Sequence, residues 1–222
     1  VLYVFRVMVD DDLPMNAGCL RPINIVIPKK TMLTPEYPAA VVAGNVEVSQ
    51  AVTNTLFLAL GALAAAQGTM NNLNFGNKTY QYYETICSGS PAGPGFNGTD
   101  AVHTHMTNTR LTDPEVLEFR YPVVLEDFHI RTGSGGKGKW HAGSGIRRTI
   151  RFLEEMECTI LSGHRRVPPP GLDCGNAGQV GENWVRRKDG RMERLKGCDA
   201  TVIDADEAVV IQTPTAGGCG KA

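Results

Sequence analysis

The 222-residue sequence has no excess of positive charge: 22 Lys and Arg stand against 23 Asp and Glu. A polyanionic partner needs such an excess, so neither nucleic acid nor an anionic membrane is expected to bind; a small molecule or a protein is. There is no long apolar run either. The most apolar stretch, Leu56 to Ala66, falls short of the roughly 20 residues that a membrane span needs and is expected to be buried helix. None of the six cysteines forms a Cys-x-x-Cys pair, which argues against a zinc knuckle or a redox dithiol and for free core thiols. The glycine-rich Gly133-Ser-Gly-Gly-Lys-Gly-Lys139 lacks Ser or Thr after Gly-Lys, so it is expected to be a flexible loop between strands rather than a phosphate loop. No internal repeat is present. The opening Val-Leu-Tyr-Val-Phe-Arg has neither an initiator Met nor the features of a signal peptide, and it reads as a cut chain in a cytoplasmic setting. Asn77-Lys-Thr and Asn97-Gly-Thr match the glycosylation tripeptide, a pattern common by chance.

What the sequence does have is a concentration of chemistry at His103-Thr-His-Met-Thr-Asn-Thr-Arg110. As a strand it would put His103, His105, Thr107 and Thr109 on one face and Met106, Asn108 and Arg110 on the other. Two histidines on one face suggest a site, though ordinary polar residues at a strand end fit the pattern too, and a metal would need a third ligand. Ahead of this segment, Ser88 to Gly98 is rich in Gly and Pro and is expected to be an exposed loop.

The rest predicts an α+β chain. One long buried helix is expected over about 46–66, capped at Gly44-Asn45, with Val52, Leu56, Ala59, Leu60 and Leu63 on its apolar face. Residues 2–9 suit a helix end or a buried strand, and Cys19 to Pro28 a short strand. Residues 69–75 and 79–87 form a hairpin around Gly76-Asn77. After Glu118, β-like runs recur at Phe119–Leu125, Phe128–Arg131, Ile146–Leu153, Cys158–Ser162, Trp184–Arg187, Ala200–Ile203 and Ala208–Thr213, which predicts a mostly antiparallel, sandwich- or barrel-like half. The organisation expected is an α+β portion over 1–117 and a β-rich portion over 118–222.

Several segments together resemble the hydantoinase B family, most closely its ATP-dependent 5-oxoprolinase branch. They are Asn16-Ala-Gly-Cys-Leu-Arg-Pro-Ile, Gly44-Asn-Val-Glu-Val-Ser-Gln, Gln67-Gly-Thr-Met-Asn-Asn, Tyr83-Glu-Thr, His103 to Arg110 with Thr112-Asp-Pro-Glu115, and Gly135-Gly-Lys-Gly. They occur in the family's order along nearly the whole chain. Two departures stand out: Ser88-Gly89 replaces a Gly-Gly, and the tail reads Thr213-Pro-Thr-Ala-Gly-Gly-Cys-Gly220.

The resemblance implies the carboxy-terminal part of a hydantoinase B-type unit, with its amino-terminal part lying outside the chain. It also implies ATP-driven opening of a cyclic amide, 5-oxo-L-proline to L-glutamate. ATP would be bound by a hydantoinase A-type ATPase domain or subunit, any divalent metal would lie outside this segment, and the enzyme would be an oligomer. On that footing Arg110 is expected to pair with the substrate carboxylate, and Asn71, Asn72 and Asn108 to bond the lactam. His103 is expected to line the site, with Glu84 or His105 activating water. The alternatives within the family are an N-methylhydantoinase or a ketone carboxylase subunit. Outside catalysis, the alternative is a structural module that docks on the ATPase.

Overall fold

A computed structural model describes residues 1–42 and 44–222. Over the described residues the chain is α+β, with few helices and two antiparallel sheets and no closed barrel. One sheet runs β2-β1-β5-β8 and the other β3-β4-β9-β6-β7. The strands are β1 (Asn72–Gly76), β2 (Gln81–Glu84), β3 (Val123–Ile130), β4 (Ile146–Phe152), β5 (Met156–Leu161), β6 (Glu182–Arg186), β7 (Met192–Leu195), β8 (Cys198–Ile203) and β9 (Ala208–Gln212). The first sheet takes β1 and β2 from before residue 118 and β5 and β8 from after it, so it crosses the division between the two portions read from sequence.

Alternation along each strand sends one set of side chains inward. Leu73 and Phe75 of β1, Met156, Cys158 and Ile160 of β5, and Ile146, Ile150 and Phe152 of β4 meet in one cluster between the sheets. The Phe75 and Phe152 rings meet edge-on with centroids 5.2 Å apart, joining one sheet to the other. The position that breaks the apolar series on β4 is Arg148, which is 1% exposed. Its counter-charge is Glu84 on β2, with Nε and Oε1 2.8 Å apart. The better directed bond runs from Nη2 to Oε2 at 3.3 Å. Tyr82 donates its hydroxyl to the same carboxylate at 2.7 Å.

Three short helices complete the described fold: α1 (Leu2–Met8), α2 (Ser49–Ala59) and α3 (Pro114–Arg120). Among the described residues no helix is long and apolar enough to cross a membrane. The long buried helix expected over 46–66 is shorter and differently oriented. A π-helical turn at Gly44–Val48 leads into α2, which ends where Gly61 takes φ +63. There Ala62 N–H bonds Phe57 O and Gly61 N–H bonds Leu58 O, the paired bonds by which a left-handed glycine stops a helix. The buried face of α2 is Gln50, Thr53, Asn54 and Phe57, whereas Ala59 and Leu60 are exposed. Beyond the stop, Ala64–Ala66 run extended and buried. Ala64 N–H bonds Ala92 O, Ala65 N–H bonds Pro170 O, and Asn54 brackets Ala66 by accepting from its N–H and donating to its carbonyl.

Other local expectations are corrected too. Cys19–Pro28 is no strand: Ala17–Leu20 forms a 3₁₀ turn capped by Asn16, and an open segment follows. Residues 119 and 120 close α3, whose start combines an Asp113 cap with Pro114 in the first turn. Of Ser88 to Gly98, residues 88–93 are buried apart from half-buried Ser90, and only Pro94 to Asn97 are exposed. The segment Gly133–Lys139 is no flexible loop, because its backbone is laced to the chain's tail: Gly136 N–H bonds Ala216 O, and Lys139 N–H bonds Gly220 O. Glycine is required there by close approach; a Cβ on Gly136 would lie 2.5 Å from backbone atoms of Asn176 and Gly218. Of the six free thiols, Cys87, Cys158 and Cys219 are buried, while Cys174 and Cys198 are exposed.

Candidate functional site

His103–Arg110 is a loop, not a strand, and His105 lies in the left-handed region at φ 55. The polar face of α2 builds it. The Gln50 amide donates to Thr107 Oγ1 at 2.6 Å and to Thr104 O at 3.4 Å, and its carbonyl accepts from Met106 N–H at 3.4 Å. Two turns on, Phe57 stacks on the His105 ring with centroids 5.2 Å apart. Tyr3 of α1 meets the same ring edge-on, its hydroxyl 3.3 Å from His105 Nδ1, and also packs edge-on against Phe57 with centroids 6.1 Å apart. At the far end of the loop, Thr109 and Thr85 hydroxyls bond at 2.5 Å.

The histidines therefore part company. His105 packs against Tyr3 of α1 and Phe57 of α2 and lines neither cleft beside the loop, a placement that suits holding the loop in position. Burial pushes its imidazole down to about 4. It stays neutral in the fold, while the unfolded imidazole protonates below about 6.5. The unfolded chain thus binds more protons, and stability is lost as pH falls from about 6.5 to about 4, by up to roughly 3 kcal/mol. Urea titrations between pH 4 and 7 are expected to show this slope. His105→Asn should flatten it while lowering stability overall, because asparagine tolerates the left-handed backbone but cannot titrate. A residual slope should come from His103 and His164, which burial also lowers. Parallel slopes for both proteins would rule out His105 as the source.

Thr107–Thr109 form a wall shared by two clefts. The first, about 360 Å³, is polar and lies against Asn45, Ser49, Met70, Tyr83 and Thr85. The second, about 580 Å³, has an apolar lining of Cys87, Val102, Leu111, Phe128 and Ile130, with His103, Asn108 and Arg110 around it. Both His103 ring nitrogens are sheltered from solvent without a hydrogen-bond partner among the described residues. Desolvation lowers its pKa, so it is a neutral imidazole able to take a proton. Arg110 and Asn108 are exposed. The Cys87 thiol, pushed up to about 11 by burial, is no nucleophile at neutral pH.

The remaining candidates lie elsewhere. Glu84 is held in the sandwich interior by Arg148, itself 5.4 Å from the Phe128 ring, and is therefore behind the cleft wall instead of in the cleft. Asn71 is fully buried and bonds Gln67, the Ile86 carbonyl and Arg165. Asn72 donates to Glu47 and to the Leu161 carbonyl while accepting from the Tyr83 hydroxyl at 2.6 Å. Both asparagines are thus fully engaged in holding the Gln67–Asn72 turn, and neither lines a cleft. Missed from sequence were Gln50, which shapes the loop, and Glu47, whose Oε1 gathers Thr69 Oγ1, Met70 N–H and Asn72 Nδ2 within 3.1 Å. Only the Gly44-Asn-Val-Glu-Val-Ser-Gln motif signalled them.

Residues 1–222 match the Hydantoinase B/oxoprolinase family along their whole length. The chain belongs to this family. It is 46% identical over 220 residues to the 5-oxoprolinase of Dictyostelium discoideum, covering 99% of this chain and 17% of that protein. It is 47% identical over 221 residues to 5-oxoprolinase 1 of Arabidopsis thaliana, covering 100% of this chain and 18% of that protein. The chain therefore spans less than a fifth of these relatives. Its fold is similar to that of the ATP-dependent caprolactamase from Pseudomonas jessenii, with TM-score 0.85 at 21% identity over 99% of this chain and 42% of that one. Within this hydantoinase B-type fold, no three His, Cys, Asp or Glu side chains gather to hold a metal among the described residues. The glycine-rich segment 133–139 does not fit an ATP phosphate either, since Gly136 and Lys139 amides are already bonded to backbone carbonyls.

Proposed function

We propose that this chain is the substrate-side part of an ATP-dependent cyclic amide hydrolase that opens 5-oxo-L-proline to L-glutamate. The observation that carries this reading is the second cleft, where an unpartnered neutral imidazole, an amide and a guanidinium surround an apolar lining. A small lactam bearing one carboxylate has matching parts. Its ring methylenes lie on Val102, Ile130 and Phe128, its carboxylate on the Arg110 fork, and its amide on Asn108. Phosphorylation of the lactam oxygen removes amide resonance and leaves the ring carbon electrophilic. Water adds there as its proton passes to His103, the C–N bond breaks as that proton is handed to the leaving nitrogen, and a second water cleaves the resulting acyl phosphate to L-glutamate and inorganic phosphate. Glu84 and His105 keep structural roles in this scheme.

The ATP comes from a hydantoinase A-type ATPase domain or subunit, in a cytoplasmic, oligomeric enzyme, and any divalent metal is held outside this chain. The chain alone is expected neither to hydrolyse ATP nor to open 5-oxoproline. The test is ADP release by the assembled enzyme offered 5-oxoproline, a hydantoin or a ketone. Stoichiometric ADP and glutamate with 5-oxoproline, lost in His103→Ala, is the expected outcome. Preferential turnover of the hydantoin or the ketone would reassign the substrate, and unchanged turnover in His103→Ala would leave the chain a docking module.

A further inference from the structure

A further cleft, of about 370 Å³ and lined mostly by charged and polar residues, lies between β6–β7 and the segments around Arg165 and Gly197, and shares no lining residue with the clefts at Thr107–Thr109. Four cations line it, Arg165, Arg166, Arg194 and Lys196, against one carboxylate, Glu182. Arg194 stands 3.7 Å from Glu182, while Arg165, Arg166 and Lys196 have no ion pair among the described residues. Arg165 is held rigidly by neutral acceptors only. Nη2 donates to Asn71 Oδ1 and to Asn183 Oδ1 at 2.8 Å each, Nε to Asn183 Oδ1 at 3.2 Å, and Nη1 to Gly163 O at 2.7 Å. One Nη1 hydrogen is left over from the guanidinium's complement. That nitrogen lies against Gly181, where a Cβ would come within 2.6 Å, so the glycine keeps the guanidinium open to the cleft.

We infer that this cleft binds a phosphate oxyanion, either inorganic phosphate or the phosphoryl group of a small monoester. A locked guanidinium with further cations around it suits a dianion better than a single carboxylate. The cleft exceeds what one phosphate fills, so a small organic group has room beside Leu195. A long polyanion is disfavoured because the chain as a whole has no basic excess, 22 cationic against 23 anionic side chains. Burial lowers the Arg165 pKa to about 10, and the nearby carboxylates of Glu47 and Glu182, neither of which forms an ion pair with it, offset this only in part. This inference is independent of the cyclic amide reading.

Calorimetric titration of the full-length polypeptide with inorganic phosphate and with phenyl phosphate tests it. Arg166 and Lys196 are exposed, so Arg166→Glu/Lys196→Glu leaves the fold intact. The expected result is saturable binding that weakens with salt and loses at least tenfold in affinity in this variant. Arg165→Gln, checked for folding by circular dichroism, should lose it as well. Tighter binding of phenyl phosphate identifies a monoester as the ligand, and equal binding identifies inorganic phosphate. Phosphate bound at a nucleotide site elsewhere in the polypeptide would not respond to the rim charges. Absence of saturable binding, or equal affinity in wild type and charge-reversed protein, would overturn the inference.

Discussion

Arg110→Ala in the assembled enzyme is expected to lower kcat/KM for 5-oxoproline by roughly 30-fold or more while leaving the melting temperature unchanged. The two halves of this expectation have separate grounds. Arg110 is exposed and makes no hydrogen bond or ion pair among the described residues, so the fold does not depend on it. Its proposed partner is the substrate carboxylate, and truncating one side of a desolvated charge pair costs about 2–5 kcal/mol. A cleft open to solvent belongs at the lower end of that range, which corresponds to about 30-fold. Arg110→Lys should recover part of the loss, because an ammonium supplies the charge without the parallel pair of bonds. Loss of activity accompanied by a lower melting temperature and poor soluble yield would make Arg110 a structural tie instead.

Arg148→Ala is expected to do the reverse, unfolding the protein rather than disabling a folded one. Arg148 and Glu84 are 1% and 6% exposed and each is the other's only ionic partner among the described residues. Removing one member of a buried pair leaves an uncompensated charge, at a cost of about 3–5 kcal/mol. For a chain of this size that is roughly 6–20 °C in Tm. Glu84→Gln should show a similar loss, and the double replacement Glu84→Leu/Arg148→Met should recover most of it, since an apolar pair of similar volume carries no desolvation penalty. Activity in Glu84→Gln should track the folded fraction. If Glu84 acted as a base, that variant would keep its stability and lose turnover.

The β half was legible because its signal is local. β4, β5 and β9 each carry an alternating or continuous apolar run that a single strand can express, and the β1–β2 hairpin announces its own turn at Gly76-Asn77. The end of α2 was legible in principle: Gly61 interrupts the apolar run, but the alanines after it continued the helical pattern, and their extended path depends on partners at Ala92, Pro170 and Gly217. The start of α3 was likewise written in Asp113-Pro114-Glu115, a cap followed by proline in the first turn and an acid.

The candidate site was harder to see because its geometry comes from far along the chain. Gln50 reaches across 57 positions to Thr107, and Tyr3 across 102 to His105. Alternation within His103–Arg110 therefore carried no information once the backbone turned left-handed at His105. Glu84 shows the opposite failure. A carboxylate beside Thr85 in a polar motif looks functional until Arg148, 64 positions away, supplies its counter-charge inside the core.

The central claim is that the cleft beside Thr107–Thr109 holds the cyclic amide. A crystal structure of the full-length enzyme with 5-oxoproline and a non-hydrolysable ATP analogue tests it most directly. The account predicts the lactam ring on the apolar wall of Val102, Phe128 and Ile130, its carboxylate bonded by both arms of Arg110 and its reacting carbon within reach of a water held by His103. Density for 5-oxoproline elsewhere in the enzyme, with Arg110 and His103 unliganded, would contradict it.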